Sequence, residues 1–263
     1  MKEEDRGHAI RLALARSQPS SRSTPPGRLP GAIPTGSAAL DRALGIGGLP
    51  RGSIVELFGP AESGKTSLAL AIVAEWQKAG GAAAWIDSER SFDPSYAARA
   101  GVKIEQLPVA RPESAEQAFA MVEQLAQTGA VELLVVDSAA ALTPAVEFET
   151  ALGESGHGLQ SRVLGSGLRR LTRSVARAGA TAVFLNQIRT RPARTEGGAA
   201  EEVSAGGPAL KLYAAVRIAL VRSAQTGSVR FRVLKNKTGE AFREGELERN
   251  PTAQADPDPP PDA

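Results

Sequence analysis

Residues Gly59, Pro60, Ala61, Glu62, Ser63, Gly64, Lys65 and Thr66 form an unbroken G-x-x-x-x-G-K-T sequence, followed at once by Ser67. A β-branched apolar run, Ile54 to Phe58, precedes it, and an amphipathic stretch, Ser67 to Lys78, follows. That order constrains the fold more than any other feature of the chain. A phosphate-binding loop works where a strand delivers it and a helix starts on its far side, so the surroundings have to be an α/β layer structure. The glycines let successive backbone N–H groups converge on one anion, and the helix N-terminus adds partial positive charge. Lys65 is expected to reach the β- and γ-phosphates and the Thr66 hydroxyl to ligate magnesium (Mg2+). The loop implies binding of a nucleoside triphosphate.

The rest of the pattern agrees. Strands are expected at Ile54–Phe58, Ala83–Asp87, Glu132–Asp137, Thr181–Asn186, Val216–Val221 and Val229–Leu234. Helices are expected at Thr66–Lys78, Ser114–Gln127 and Leu164–Ala178. Ser114 and Gln117 have capping-box spacing, and Gly129 ends that helix. The third helix carries Leu164, Leu168, Leu171 and Val175 on one stripe and Arg169, Arg173 and Arg177 on another. Apolar strands alternating with helices imply a parallel sheet covered on both faces.

Length and composition set the limits. The 263 residues suit one α/β domain with appendages, and 42% hydrophobic residues suffice for a core. The chain has no cysteine, which excludes disulfides and thiolate metal sites, and His8 and His157 are too few for a histidine-rich one. No signal-peptide core is present at the N-terminus, and no stretch approaches the ~18 apolar residues of a membrane span. A cytoplasmic protein with no membrane partner is expected. Residues 1–33 read as a short helix, His8 to Arg16, and a Pro/Ser-rich linker; residues 34–248 read as the core. Residues 249–263 read as a disordered, Pro-rich acidic tail. Residues 240–263 hold seven acids and two bases, net −5, which leaves +7 on residues 1–239 out of the overall +2. A basic body suits a polyanionic partner.

Two further elements carry nucleotide chemistry. Leu133 to Asp137 is an apolar strand ending in an acid, the position where such proteins hold magnesium directly or through water. The strand ending Trp85-Ile86-Asp87 is followed by Ser88 and Glu89, so two acids reach the ligand-bearing edge of the sheet. Hydrolysis needs a carboxylate to orient and deprotonate water. The residues alone leave Asp87 and Glu89 both open for that role, or both as turn caps.

Six segments resemble the bacterial RecA recombinase family: TGSAALDRALGIGGLPRGSIVELFGPAESGKTSL, WIDSERSFDPSYAARAGV, LLVVDSAAALTPAVE, FLNQIR, ALKLYAAVRI and VLKNK. The resemblance runs in order from about Thr35 to Phe242. It implies a RecA-type ATPase core of the P-loop class, a mostly parallel twisted sheet flanked by helices. It implies ATP and Mg2+ as ligands. It assigns Glu89 to water activation, Asp137 to magnesium, and Asp93 and Tyr96 to adenine. Gln187 becomes the γ-phosphate sensor. Lys235 and Lys237 become lysines that reach a neighbouring subunit's ATP across a filament interface. The activity implied is that of a DNA-dependent ATPase in homologous recombination, DNA repair and the SOS response to DNA damage.

Two Gly-rich segments, Thr150 to Gly158 and Arg189 to Gly207, are expected to be loops that order on binding single-stranded DNA. Arg162, Arg169, Arg189, Arg191 and Arg194 are placed to neutralise phosphates, with a solvated helix face as the other reading of Arg169. The second loop has no aromatic residue for base stacking, and Glu196, Glu201 and Glu202 weaken its attraction for phosphate. The family pattern also has a longer N-terminal docking segment and a folded C-terminal domain, against the Pro-rich linker and acidic tail here. These departures motivate an alternative: a RecA-like accessory or regulatory protein that binds ATP without strand exchange and pairs with a full-length RecA or a polymerase.

Overall fold

A computed structural model describes residues 31–149, 158–191, 201–205 and 207–247. In chain order its elements are β1 (Ala32–Ile33), α1 (Ala38–Leu44), β2 (Leu49–Pro50), β3 (Ile54–Gly59), α2 (Lys65–Lys78), β4 (Ala83–Asp87), α3 (Pro94–Arg99) and β5 (Val109–Ala110). Then come α4 (Ala115–Thr128), β6 (Leu133–Asp137), α5 (Ala145–Glu149), α6 (Leu159–Ala178), β7 (Thr181–Arg191), β8 (Glu201–Ser204), α7 (Ala209–Tyr213), β9 (Val216–Arg222), β10 (Val229–Asn236) and β11 (Glu244–Leu247).

Eight strands lie in the order β11-β10-β9-β3-β7-β6-β4-β5, and β8 pairs with β7 off that path. The pairs β9–β3, β3–β7, β7–β6, β6–β4 and β4–β5 are parallel; β8, β10 and β11 add antiparallel pairs. The architecture is therefore the mostly parallel α/β sheet expected. Alternation along the strands explains the layers. Leu133 and Val135 join one core with Val55, Leu57 and residues of α1, α2 and α3. Leu134 and Val136 join a second core with Phe184 and residues of α4, α6 and α7. Every residue of β3, β4 and β6 is buried, as strands covered on both faces must be.

The helix ends follow from local chemistry. Ser114 Oγ accepts from Gln117 N at 3.2 Å, and Gln117 Oε1 accepts from Glu113 N at 2.5 Å, so the expected cap forms. Leu164, Leu168, Leu171 and Val175 are the buried stripe of α6, with Arg169, Arg173 and Arg177 exposed. That helix starts five residues earlier than its apolar stripe, at Leu159. Its extra turn contains no fully buried residue and is held by Gln160 Nε2 donating to the carbonyls of Ala140 and Leu142.

Two features differ from expectation. Ala32 and Ile33 belong to the fold, since β1 pairs with β2 and Ile33 is fully buried. Pro34 limits this strand to two residues but does not exclude it. The second Gly-rich segment is strand at both ends, with Ile188 opposite Ser204 and Arg191 opposite Glu201. Long-range pairing makes these charged residues strand, which their composition does not signal. The helix at 8–16, the linker to residue 30, the tail from residue 249, residues 150–157 and Arg194 lie outside the described residues. No helix among the described residues is long and apolar enough to cross a membrane.

Candidate active site

Strand β3 ends at Gly59 in the middle of the sheet, and α2 begins six residues later at Lys65. The loop between them is shaped by two glycines. A Cβ on Gly59 would lie 2.2 Å from the Leu220 carbonyl of β9, so only glycine lets the strands approach there. Gly64 has φ 91°, the left-handed conformation that turns the loop into the helix. No side chain caps α2, which leaves its first N–H groups facing the loop. Lys65 Nζ donates to Gly59 O at 3.2 Å, to Pro60 O at 2.5 Å and to Ser63 Oγ at 3.3 Å. Burial pushes the Lys65 ammonium below its ordinary pKa, and the charges of Asp137 and then Glu89 oppose that.

Parallel register brings the other groups to the same edge. Gly59 is level with Gln187, and Asp87 is level with Asp137. Thr66 Oγ1 donates to Asp137 Oδ2 at 3.3 Å. Burial, reinforced by the Glu89 charge, pushes the Asp137 carboxyl up to about 7; the Thr66 hydrogen bond opposes it. The Asp137 carbonyl accepts from Ser88 N at 2.8 Å and Glu89 N at 3.1 Å, tying the end of β4 to the end of β6. Glu89 Oε1 then accepts from the Ser138 hydroxyl and, at 3.4 Å, from Gln187 Nε2.

Asp87 is engaged elsewhere. Fully buried, it accepts from Ser91 N at 3.0 Å and Phe92 N at 3.3 Å and pairs with Arg111 at 3.2 Å. Its carboxylate holds the turn after β4, which leaves Glu89 as the acid at the mouth of the loop.

Asp93 caps α3, accepting from Ser95 N at 2.7 Å and Tyr96 N at 3.2 Å. Through that cap it fixes Tyr96, whose hydroxyl is 2.6 Å from Ser67 Oγ on the first turn of α2. Tyr96 borders two cavities. One, of about 370 Å³, is lined by Gly64, Ser67, Arg222, Gly227 and Val229; the other, of about 280 Å³, reaches Thr66, Trp85 and Asp137. The first is of the size that takes a small organic group.

Not every expected residue is in this place. Lys235 Nζ donates to the carbonyls of Lys211 and Leu212 at 2.9 and 3.0 Å, at the C-terminal end of α7. Strand β10 begins beside the loop, where Val229 lines the Gly64 cavity, and runs away from it. Lys235 is six residues further on, roughly 20 Å at the rise of a strand. Lys237 is exposed beyond it. Arg162 and Arg169 are exposed on α6, and Arg189 and Arg191 lie on β7 past Gln187.

Two residues of the site are not signalled by its motifs. Ser138 follows the strand-end acid, so a hydroxyl at that place was the available clue; the Asp137–Ser138 peptide is cis. Arg222 Nε donates to the Glu62 carbonyl in the loop at 2.8 Å. Only the pairing of β9 with β3 brings Arg222 there.

The donor set suits magnesium. Thr66 Oγ1 and Asp137 Oδ2 are two hard oxygen donors, and no group of three or more His, Cys, Asp or Glu among the described residues forms a metal cage. Magnesium is held in this manner, by one or two protein oxygens with the remaining positions left to phosphate and water.

A family model of the RecA N-terminal domain matches residues 30–250. The chain is 49% identical over 225 residues to Protein RecA of Thermus thermophilus, covering 82% of this chain and 66% of the relative. It is 47% identical over 224 residues to Protein RecA of Caulobacter vibrioides strain NA1000 / CB15N, covering 82% and 62%. With Protein RecA of Chlorobium chlorochromatii the identity is 46% over 225 residues, covering 82% and 63%. The chain thus spans just under two thirds of the length of these relatives. A match over most of the chain, on a sheet that gathers the phosphate loop, Glu89, Asp137 and Gln187 at one edge, places this chain in the RecA family.

Proposed function

We propose that this chain binds ATP with Mg2+ at the Gly59–Thr66 loop and hydrolyses it in response to single-stranded DNA, as a recombinase-type protein of homologous recombination and DNA repair. One observation carries the catalytic part. Of the two acids where β4 ends, Asp87 is spent on the turn, while Glu89 stands at the loop mouth between Ser138 and Gln187.

The residues act as follows. Backbone N–H groups from Ala61 to Ser67, the last three of them in the first turn of α2, receive the phosphates. Phosphate oxygens replace the carbonyl acceptors that now hold the Lys65 ammonium. Thr66 and Asp137 hold magnesium, which when bound neutralises charge developing on the phosphate oxygens. Glu89 takes the proton of the attacking water, with Ser138 and Gln187 fixing its direction. Tyr96, set by the Asp93 cap, offers its ring to the base, and Ser67 lines the same cavity. The ATPase core is residues 34–248 together with the β1 residues.

DNA contact is assigned to the β7–β8 arm and the adjacent helix, through Arg162, Arg169, Arg189, Arg191 and Arg194. Lys235 and Lys237 are out of reach of their own chain's loop, which agrees with their serving a second copy's site and supports self-association. The relatives' name, Protein RecA, agrees with the reading. The test is steady-state ATP turnover with and without single-stranded DNA, with electron microscopy of the DNA-bound chain. Stimulation of at least about tenfold with filaments supports the reading; equal rates and no salt-sensitive DNA binding defeat it.

A further inference from the structure

Strands β3, β7 and β9 run side by side, and each sends one polar side chain to the same buried spot. Glu56 and Asn186 are fully buried and Arg217 is 7% exposed. Arg217 Nε donates to Glu56 Oε2 at 2.5 Å, and Asn186 Nδ2 donates to Glu56 Oε1 at 2.9 Å. The Arg217 guanidinium also lies 4.5 Å from the centre of the Phe58 ring. Such a pair is expensive to bury, and well-packed apolar residues of the same volume serve stability as well or better. Asparagine is also a poor strand former. Stability of the sheet therefore does not account for this trio.

Its outputs do. The Asn186 side chain makes two more hydrogen bonds: Oδ1 accepts from Gln187 N at 2.9 Å, and Nδ2 donates to Ala205 O at 3.2 Å. Ala205 N in turn donates to Gln187 O at 2.9 Å. Gln187 is where β7 leaves the central sheet, and Ala205 is where β8 returns to it. One amide thus holds the roots of both arms of the β7–β8 hairpin, and the buried Glu56–Arg217 pair holds the amide.

We propose that Asn186, fixed by Glu56 and Arg217, is a positioning residue that clamps Gln187 to the root of the β7–β8 hairpin. This rests on Gln187 being the γ-phosphate sensor that the family resemblance implies. A displacement of the Gln187 backbone toward bound phosphate pulls on Ala205, because the Asn186 side chain bonds both and Ala205 N bonds Gln187 O. The clamp links the nucleotide edge of the sheet to the arm assigned to DNA. Arg217 extends it across β9, where its register partner on β10 is Lys235.

Two variants test the clamp. Asn186→Ala leaves the Glu56–Arg217 pair intact, and Glu56→Leu with Arg217→Met replaces the charges with apolar bulk. Amide hydrogen exchange on the protein alone is the first readout. Both variants are expected to speed exchange at Gln187 and Ala205 by about tenfold or more, while β4 and β6 stay protected. DNA-stimulated ATP turnover is the second readout. Both variants are expected to lower kcat by about tenfold with KM within about twofold of the parent chain. Parental exchange at Gln187 and Ala205 in a folded variant would overturn the clamp. So would a loss confined to KM. Exchange needs neither nucleotide nor DNA, so a parent chain without ATPase activity would count against the functional reading and leave the clamp decided by exchange alone.

Discussion

Asp137 and Glu89 are two carboxylates at one edge for which different tasks are proposed, and their surroundings separate them. Glu89 accepts hydrogen bonds from two neutral donors at the mouth of the site. Replacing it by Gln keeps the shape and removes the base. Glu89→Gln is expected to cut ATP turnover by about 10²–10⁴-fold while nucleotide binding, read by equilibrium titration, stays within about threefold. A variant that still turns over ATP would return the role to another group. Asp137 is buried, and its carboxyl titrates at about 7 instead of 3.8. Between those values the folded chain keeps a proton that the unfolded chain releases. Stability from this group is therefore full below the lower value and falls as pH rises toward 7, by up to about 4 kcal/mol. Metal-free chain is expected to need less denaturant to unfold at pH 7 than at pH 5, with Asp137→Asn removing much of that difference. The same slope in both proteins would show that the charge is not confined in this way.

At the scale of elements, packing decides what helix propensity alone would get wrong. Helix α6 contains two glycines, Gly165 and Gly167, in its interior. A Cβ at Gly165 meets nothing within 4 Å, whereas at Gly167 it would lie 2.4 Å from the ring of Phe119 on α4. That ring is itself held against Phe184 of β7, with centroids 6.1 Å apart. Gly165→Ala is expected to stabilise by roughly 0.5–1 kcal/mol, the ordinary helix gain. Gly167→Ala is expected to destabilise by about 1–3 kcal/mol through overpacking. Denaturant unfolding of the two variants checks both signs, and equal shifts would refute the close approach of α4 and α6. The sequence shows these helices and the central strands because their apolar periods are long and glycines mark their ends. It hides β8 and β11, which are short, charged and made by pairing with distant partners. The site divides in the same way. Lys65, Thr66, Glu89 and Asp137 belong to local motifs or to the family pattern, so they are legible. Ser138 and Arg222 act through neighbours that only the folded sheet supplies. Asn186 reads as part of a strand until its side chain is seen to join three segments.

At the scale of the whole molecule, the direction of β10 has the largest consequence. It starts beside the loop and carries Lys235 at its far end, where the ammonium is held by the last carbonyls of α7. Beside it Leu212 is 67% exposed, and Phe242, in the turn after β10, is also 67% exposed. Two lysines and two exposed apolar side chains near this end of β10 suit contact with another copy of the chain. If that copy receives the lysines at its own phosphate loop, each active site is built from two chains, and defects in the two halves complement each other. A chain with Lys235→Ala and Lys237→Ala keeps an intact Glu89, and a Glu89→Gln chain keeps both lysines. Each alone is expected to turn over ATP poorly. In a random equal mixture, one interface in four joins the good half of one to the good half of the other, so turnover recovers to about a quarter of the parental rate. Recovery has to depend on single-stranded DNA, since assembly brings the halves together. A mixture no more active than its components, with both still binding nucleotide and still assembling, would mean that the lysines do not complete a neighbour's site. Dilution sharpens the distinction. Complementation between chains fades as the assembly dissociates, whereas a site complete within one chain keeps its rate per molecule at any concentration.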